Sequence, residues 1–208
     1  MSPKKRKRPF REGYDGGERL AKGVVILRRF LSDEEQQELC HFGLSKVRAE
    51  KPARNEVLKN MRQLTLGNKK SDLLSLPPGL ASLATEATRL AQTLAPGELR
   101  ELQTPRTCVL NWYDPSSRLG MHVDKQGSVS GIPVVSFSVG DRCDFCWKRG
   151  WSKKEAPRTV ELASGDVLLF GGPAEGIVHG VPKIHPGTAP RWLQLKGRLN
   201  VTLRSHAA

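Results

Sequence analysis

The chain is poor in cysteine. Its 208 residues hold four, at Cys40, Cys108, Cys143 and Cys146. They are too scattered for a disulfide framework, and a reducing compartment is the simpler reading. Cys143-x-x-Cys146 could be half a zinc site, but no second pair completes it. In a strand a three-residue offset puts the two thiols on opposite faces, so packing is their expected role. Long apolar runs are missing as well. None approaches the ~20 residues needed to span a bilayer, and no secretory signal is visible. Neither a membrane partner nor secretion is expected. There is no internal repeat. Acids are in deficit: 21 Asp+Glu stand against 34 Lys+Arg, a formal net charge of +13.

That excess points to a polyanionic partner. Lys4, Lys5, Arg6, Lys7 and Arg8 crowd into a stretch that contains no acid, and the body of the chain remains basic without them. The run from Pro3 to Pro9 reads as a nuclear localisation signal or a nucleic-acid arm. Nuclear placement is expected from it, cytoplasmic otherwise; the plain alternative is a solvated tail.

Residues 1–20 are polar, basic and glycine-containing, and are expected to be a disordered tail. Residues 21–208 suit a single domain of ordinary size. Gly23-Val-Val-Ile-Leu27 predicts a short strand. Ser32 and Glu35 form a capping-box pattern that starts a helix running to about Val47. Pro77-Pro78 precedes a second helix with an apolar stripe of Leu80, Leu83, Ala84, Ala87, Leu90, Ala91 and Leu94, ended by Pro96-Gly97. That stripe should pack on a sheet. From about Thr107 short strands separated by Gly, Pro and Asp turns dominate. The class is α+β, mainly β, and a jelly roll supported by N-terminal helices would fit, as would other small sandwiches.

Among these strands a single ordered set of residues carries chemistry. His122-Val-Asp124 and the later His179 supply two imidazoles and a carboxylate, the donor set of a non-haem Fe(II) oxygenase. In a strand His122 and Asp124 would point the same way. Arg198-Leu-Asn-Val-Thr-Leu-Arg204 puts Arg198, Asn200, Thr202 and Arg204 on one face and Leu199, Val201 and Leu203 on the other. Paired guanidinium groups suit a dicarboxylate. Asn111 and Tyr113 form a second alternating pair that could hydrogen-bond the same carboxylate. Taken singly, each piece has a bland reading: a surface H-x-D, a structural histidine, a solvated strand face.

Six segments in this order resemble the AlkB family of Fe(II)- and 2-oxoglutarate-dependent nucleic-acid dealkylases: Leu110-Asn-Trp-Tyr-Asp-Pro, Leu119-Gly-Met-His-Val-Asp-Lys125, Pro133–Gly140, Ser164–Gly172, His179-Gly-Val-Pro182 and Arg198–Arg204. The resemblance covers about half of the chain. It implies a double-stranded β-helix and oxidative demethylation of N-alkylated bases in DNA or RNA, with release of formaldehyde, succinate and CO2. It implies Fe(II) held by His122, Asp124 and His179. The cosubstrate 2-oxoglutarate would be held by Arg198, Tyr113 and Asn200, with Asn111 and Arg204 nearer the iron. A single chain is expected to act without a partner subunit.

Substrate contacts are less defined. The loop from Trp147 to Arg158 interleaves Trp147 and Trp151 with five basic residues, a composition that serves phosphate binding and base stacking; the alternative is a solvated hairpin with one Trp in the core. The basic segment from Arg54 to Lys70 lies where the family carries a substrate lid, with Met61 and Leu64 as apolar contacts. Two departures stand out. No Phe, Trp or Tyr occurs between Phe42 and Trp112, and Gln126 replaces a carboxylate common in bacterial members. Other readings stay open: a hydroxylase of protein or small molecules, which the basic body disfavours; a silent nucleic-acid-binding module, which the complete triad disfavours; and a zinc protein using Cys143 and Cys146.

Overall fold

The computed structural model describes residues 14–53, 55, 57–67, 76–102, 105–124 and 131–205. In chain order these form β1 (Gly16–Ala21), β2 (Val24–Arg28), α1 (Asp33–Val47), β3 (Leu58–Leu66), α2 (Leu80–Leu94) and β4 (Thr107–His122). There follow β5 (Val134–Gly140), β6 (Arg142–Lys148), β7 (Arg158–Leu162), β8 (Val167–Phe170), β9 (Val178–His185) and β10 (Arg198–Arg204). The strands run antiparallel in the order β1-β2-β8-β5-β10-β4-β9-β6-β7, and β3 pairs with β4 off that path. The result is a curled, jelly-roll-like sheet with helices α1 and α2 on its outside.

The curl follows from β4. Its first half lies between β10 and β3, with Arg198 opposite Tyr113. Its second half pairs with β9, with Leu119 opposite Val181 and His122 opposite His179. One long strand therefore belongs to both walls and bends the sheet around a cavity.

Period-two alternation sorts the side chains into two cores. Val25, Leu27, Val135, Phe137, Val139, Leu199, Val201 and Leu203 face outward and are covered by the helices. Each buried leucine or valine contributes about 1.5–3 kcal/mol relative to exposure. Val24, Ile26, Val134, Phe145, Leu168 and Phe170 face inward and form a second, inner core. The remaining inward positions of β5 and β10 are polar, and these build the site.

The helices form where their caps and stripes place them. Ser32 Oγ accepts from the Glu35 backbone N–H, while the Glu35 carboxylate accepts from the Ser32 N–H at 2.8 Å. Helix α2 buries Leu80, Ala84, Ala87, Leu90 and Ala91, and Leu83 and Leu94 pack at the edge of that core. The expected disordered stretch is corrected at its end: Gly16–Ala21 is strand β1, held by pairing to β2. Its Arg19 is bound to Glu98, which also accepts from the Gly23 N–H at 2.7 Å. Long-range pairing of this kind leaves no trace in a polar, glycine-containing sequence. The basic run at Lys4–Arg8 lies outside the described residues. Among the described residues, no helix is long and apolar enough to cross a membrane.

Candidate active site

His122 and His179 are brought face to face by the β4–β9 register, with ring centroids 4.4 Å apart. Each ring is fixed through Nδ1: His122 donates to the Gly120 carbonyl at 2.9 Å and His179 to the Ile177 carbonyl at 3.2 Å. A carbonyl only accepts, so the proton sits on Nδ1 and the Nε2 lone pair is free to bind a cation. Asp124 Oδ1 lies 3.6 Å from His122 Nε2 and 3.9 Å from His179 Nε2. Ligand atoms of the three residues all fall within 4.8 Å of one another, close enough to share one metal ion. Strand alternation does not deliver the carboxylate, as the sequence suggested. Strand β4 ends at His122, and Asp124 stands just beyond it, so the chain leaving the strand brings it to the cluster.

Charge at this cluster is already arranged for a cation. Burial holds His179 down at about 4, so it is neutral at pH 7. Burial also pushes the Asp124 carboxyl up, but His122 beside it, Arg204 and His179 outweigh that and keep it below the usual carboxylate range. Burial lowers His122, yet Asp124 and the Gly120 carbonyl more than compensate, and its pKa lies above the ordinary value. Asp124 Oδ2 is buried without a hydrogen-bond partner among the described residues. An orphaned buried carboxylate oxygen costs free energy unless something positive binds it.

The second half of the site is the inner face of β10. Arg198 is only 1% exposed, and a single bond from Nη2 to Ser138 Oγ at 2.9 Å holds it. Its Nε and Nη1 are buried with no partner among the described residues. Arg204 donates from Nη2 to Asp124 Oδ1 at 2.8 Å, and its Nε is likewise unsatisfied. Tyr113 is buried beside Arg198, and burial pushes its phenol well above the ordinary range, so it remains a protonated donor. Asn200 is the brace between them. It donates to Ser136 Oγ at 2.7 Å and to the Phe137 carbonyl at 3.0 Å. It accepts from Asn111 Nδ2 at 3.1 Å and Thr202 Oγ1 at 2.9 Å. With its amide committed to protein, Asn200 holds the wall in shape.

One cavity joins the two halves, lined on its polar side by His122, His179, Asn111, Tyr113, Arg198, Asn200 and Arg204 and on its apolar side by Val134, Phe145 and Phe170. This is the architecture of an oxygenase, and the profile of the 2OG-Fe(II) oxygenase superfamily matches residues 23–204. The chain belongs to that superfamily. Among relatives in the superfamily is the DNA N(6)-methyladenine demethylase ALKBH1C of Arabidopsis thaliana, 30% identical over 96% of this chain and 52% of its own length. Another is the tRNA demethylase abh1 of Schizosaccharomyces pombe, 33% identical over 41% of this chain and 28% of its own. The chain thus spans about half, or less, of these relatives. The solved structure of OsALKBH1 superposes with a TM-score of 0.77 at 29% identity, covering 91% of this chain and 100% of that one.

Within this oxygenase fold, the residues expected at the substrate divide. Trp147 is 5% exposed and stacks on Phe145 at 5.9 Å. It shares the inward face of β6 with Cys143 and Phe145, and is a core residue. Met61 is 0% exposed in the same inner core. Leu64 faces the opposite way, against the helix-covered core. Trp151, by contrast, is 64% exposed. Gln126 lies outside the described residues. Cys143 is buried and Cys146 is on the other face of β6, bonded to Thr159 Oγ1 at 3.2 Å; among the described residues neither belongs to a metal-binding group.

Polar residues of the site escaped the sequence reading. Ser136, which lines the cavity, and Ser138, which holds Arg198, occupy the polar positions of β5, and alternation with Val135, Phe137 and Val139 would have found them. Gln63 lines the cavity and donates to Asn111 Oδ1 at 2.7 Å. It sits on β3, whose pairing with β4 no local pattern announces.

Proposed function

We propose that the chain is an Fe(II)- and 2-oxoglutarate-dependent dioxygenase that removes N-methyl groups from nucleobases. One observation carries the reading: one cavity is lined by His122 and His179 of the three-ligand cluster and by Arg198, a buried guanidinium left uncompensated among the described residues. The donor set fits Fe(II), since two neutral imidazoles and a carboxylate leave the remaining positions open. The orphaned nitrogens of Arg198 fit a carboxylate. His122, Asp124 and His179 would hold the metal, and Arg198 with the protonated Tyr113 would hold the far carboxylate of 2-oxoglutarate. With both groups bound, O2 would supply the oxidising equivalents: one oxygen atom would go to succinate as 2-oxoglutarate loses CO2, and the other would hydroxylate a methyl C–H bond.

The protein's own residues do the rest. The Nδ1 bonds to Gly120 and Ile177 orient the imidazoles before anything binds. Arg204 holds Asp124 in place and keeps it ionised. Phe145 and Phe170 keep that side of the cavity dry. Hydroxylation of an N-methyl carbon gives a hemiaminal, which loses formaldehyde and restores the base. Nucleic acid as substrate is supported by the +13 charge and by the DNA and tRNA demethylase names of the relatives. A base inside a duplex cannot reach a cavity enclosed by a curled sheet, so the target is flipped out or single-stranded.

The test is incubation with Fe(II), 2-oxoglutarate and a panel of N-methylated oligonucleotides, read by mass spectrometry. Loss of a methyl mass from at least one member is expected. Consumption of 2-oxoglutarate with no mass change across the panel would move the assignment to a protein or small-molecule hydroxylase.

A further inference from the structure

The end of the sheet that carries the metal ligands also carries a basic groove that the active site does not use. Strand β4 ends at His122, β9 begins at Val178, β6 ends at Lys148 and β7 begins at Arg158. Trp147 lies opposite His179 in the β6–β9 register. The connection from 149 to 157 therefore rises beside the metal-binding cluster, one strand away from it. On its other side, Val24 is the register partner of Phe170, which lines the active cavity. Between these elements runs a groove of about 210 Å3. Its floor is apolar, made by Val24, Trp147, Ala174 and Ile177, and its rim carries Lys22, Lys148, Arg149 and Arg158 with one carboxylate, Glu155.

The connection adds an aromatic that the fold does not need. Trp151 is 64% exposed, which removes it from any packing role. Lys153 and Lys154 flank it, exposed, and among the described residues no carboxylate pairs with them or with Arg149. Uncompensated cations around an open tryptophan at the mouth of a groove are the components of a single-strand track: charge for phosphates, a ring face for a base. An acidic protein segment would use the cations and leave the indole exposed.

We propose that this groove and the connection above it dock the single nucleic-acid strand next to the target base, with phosphates on Lys22, Arg149 and Arg158 and a flanking base stacked on Trp151. The proposal rests on the nucleobase reading of the active site.

The test uses the full chain and a short single-stranded oligothymidylate, followed by fluorescence anisotropy across a salt series. Trp151→Ala should weaken binding by at least about fivefold, the loss of one stacked base, with the salt slope kept. Combined Lys22→Ala, Arg149→Ala and Arg158→Ala should lower the slope of log affinity against log salt by about 2. Stabilisation by 2-oxoglutarate should be the same in both variants as in the parent chain. If the parent chain binds the strand and both variants bind it as tightly with an unchanged slope, the strand runs elsewhere and the proposal fails while the active-site reading stands. If polyglutamate competes as well as oligothymidylate, the surface reads charge alone and the strand assignment is overturned. If the parent chain binds no strand at all, the nucleobase reading fails and takes this proposal with it.

Discussion

At the scale of single residues, the site stores unfavourable free energy that its ligands relieve. Among the described residues, Arg198 is a buried cation with two unpartnered nitrogens, and buried charge without a counter-charge destabilises a fold. Arg198→Met should leave the ligand-free protein as stable as before or raise its melting temperature. In the same variant 2-oxoglutarate should no longer raise the melting temperature, because ligand stabilisation follows affinity for the folded state. Differential scanning fluorimetry with and without 2-oxoglutarate checks both halves, and a cosubstrate shift surviving in the variant would remove Arg198 from the pocket. The metal cluster carries a pH signature of the opposite kind. The His122 pKa lies above its ordinary value, while His179 and Asp124 are already deprotonated at neutral pH. A second proton on His122 competes with the metal for Nε2, so affinity should fall as pH drops through the histidine range. Calorimetric titration in buffers of differing ionisation enthalpy should show proton release on metal binding in that range and less release at higher pH.

At the scale of elements, the cluster depends on how closely β9 approaches β4. Gly180 sits next to His179, and a Cβ there would lie 2.7 Å from the Leu119 carbonyl oxygen and 3.0 Å from Gly120 backbone atoms. No side chain can swing away to make room, so the strands themselves must separate. Gly180→Ala should cost about 1–3 kcal/mol of stability and weaken metal binding, since the same displacement separates His122 from His179. Thermal unfolding and a Co(II) titration would show it; unchanged affinity in a destabilised protein would mean that the ligands do not rely on this contact. Elements were also where the sequence spoke most clearly. The Ser32–Glu35 capping box, the α2 stripe and the alternation in Arg198–Arg204 are local patterns, and each appears where its period puts it. Strands β1 and β3 were not legible, because polar edge strands are made by their partners. For that reason Gln63 entered the cavity unannounced.

At the scale of the whole molecule, the curled sheet turns three distant segments into one chamber. His122 and His179 are cross-strand neighbours only because β4 spans both walls, and that register is a property of the fold that spacing along the chain does not encode. The chemistry was readable all the same, because residue types, order and strand period restrict what His122, Asp124, His179 and Arg198 can do together. Substrate contacts were harder to read. Trp147 and Trp151 have the same composition around them, and only the inward period of β6 makes one core and the other surface. The central claim is that oxidation of the cosubstrate and removal of the methyl group are one coupled event in this chamber. It is tested most directly by quantifying succinate and formaldehyde together during turnover of a single N-methylated strand with Fe(II) and oxygen. The account predicts equal amounts of the two, both abolished in Asp124→Ala. Succinate formed without formaldehyde, or formaldehyde released without 2-oxoglutarate, would contradict it.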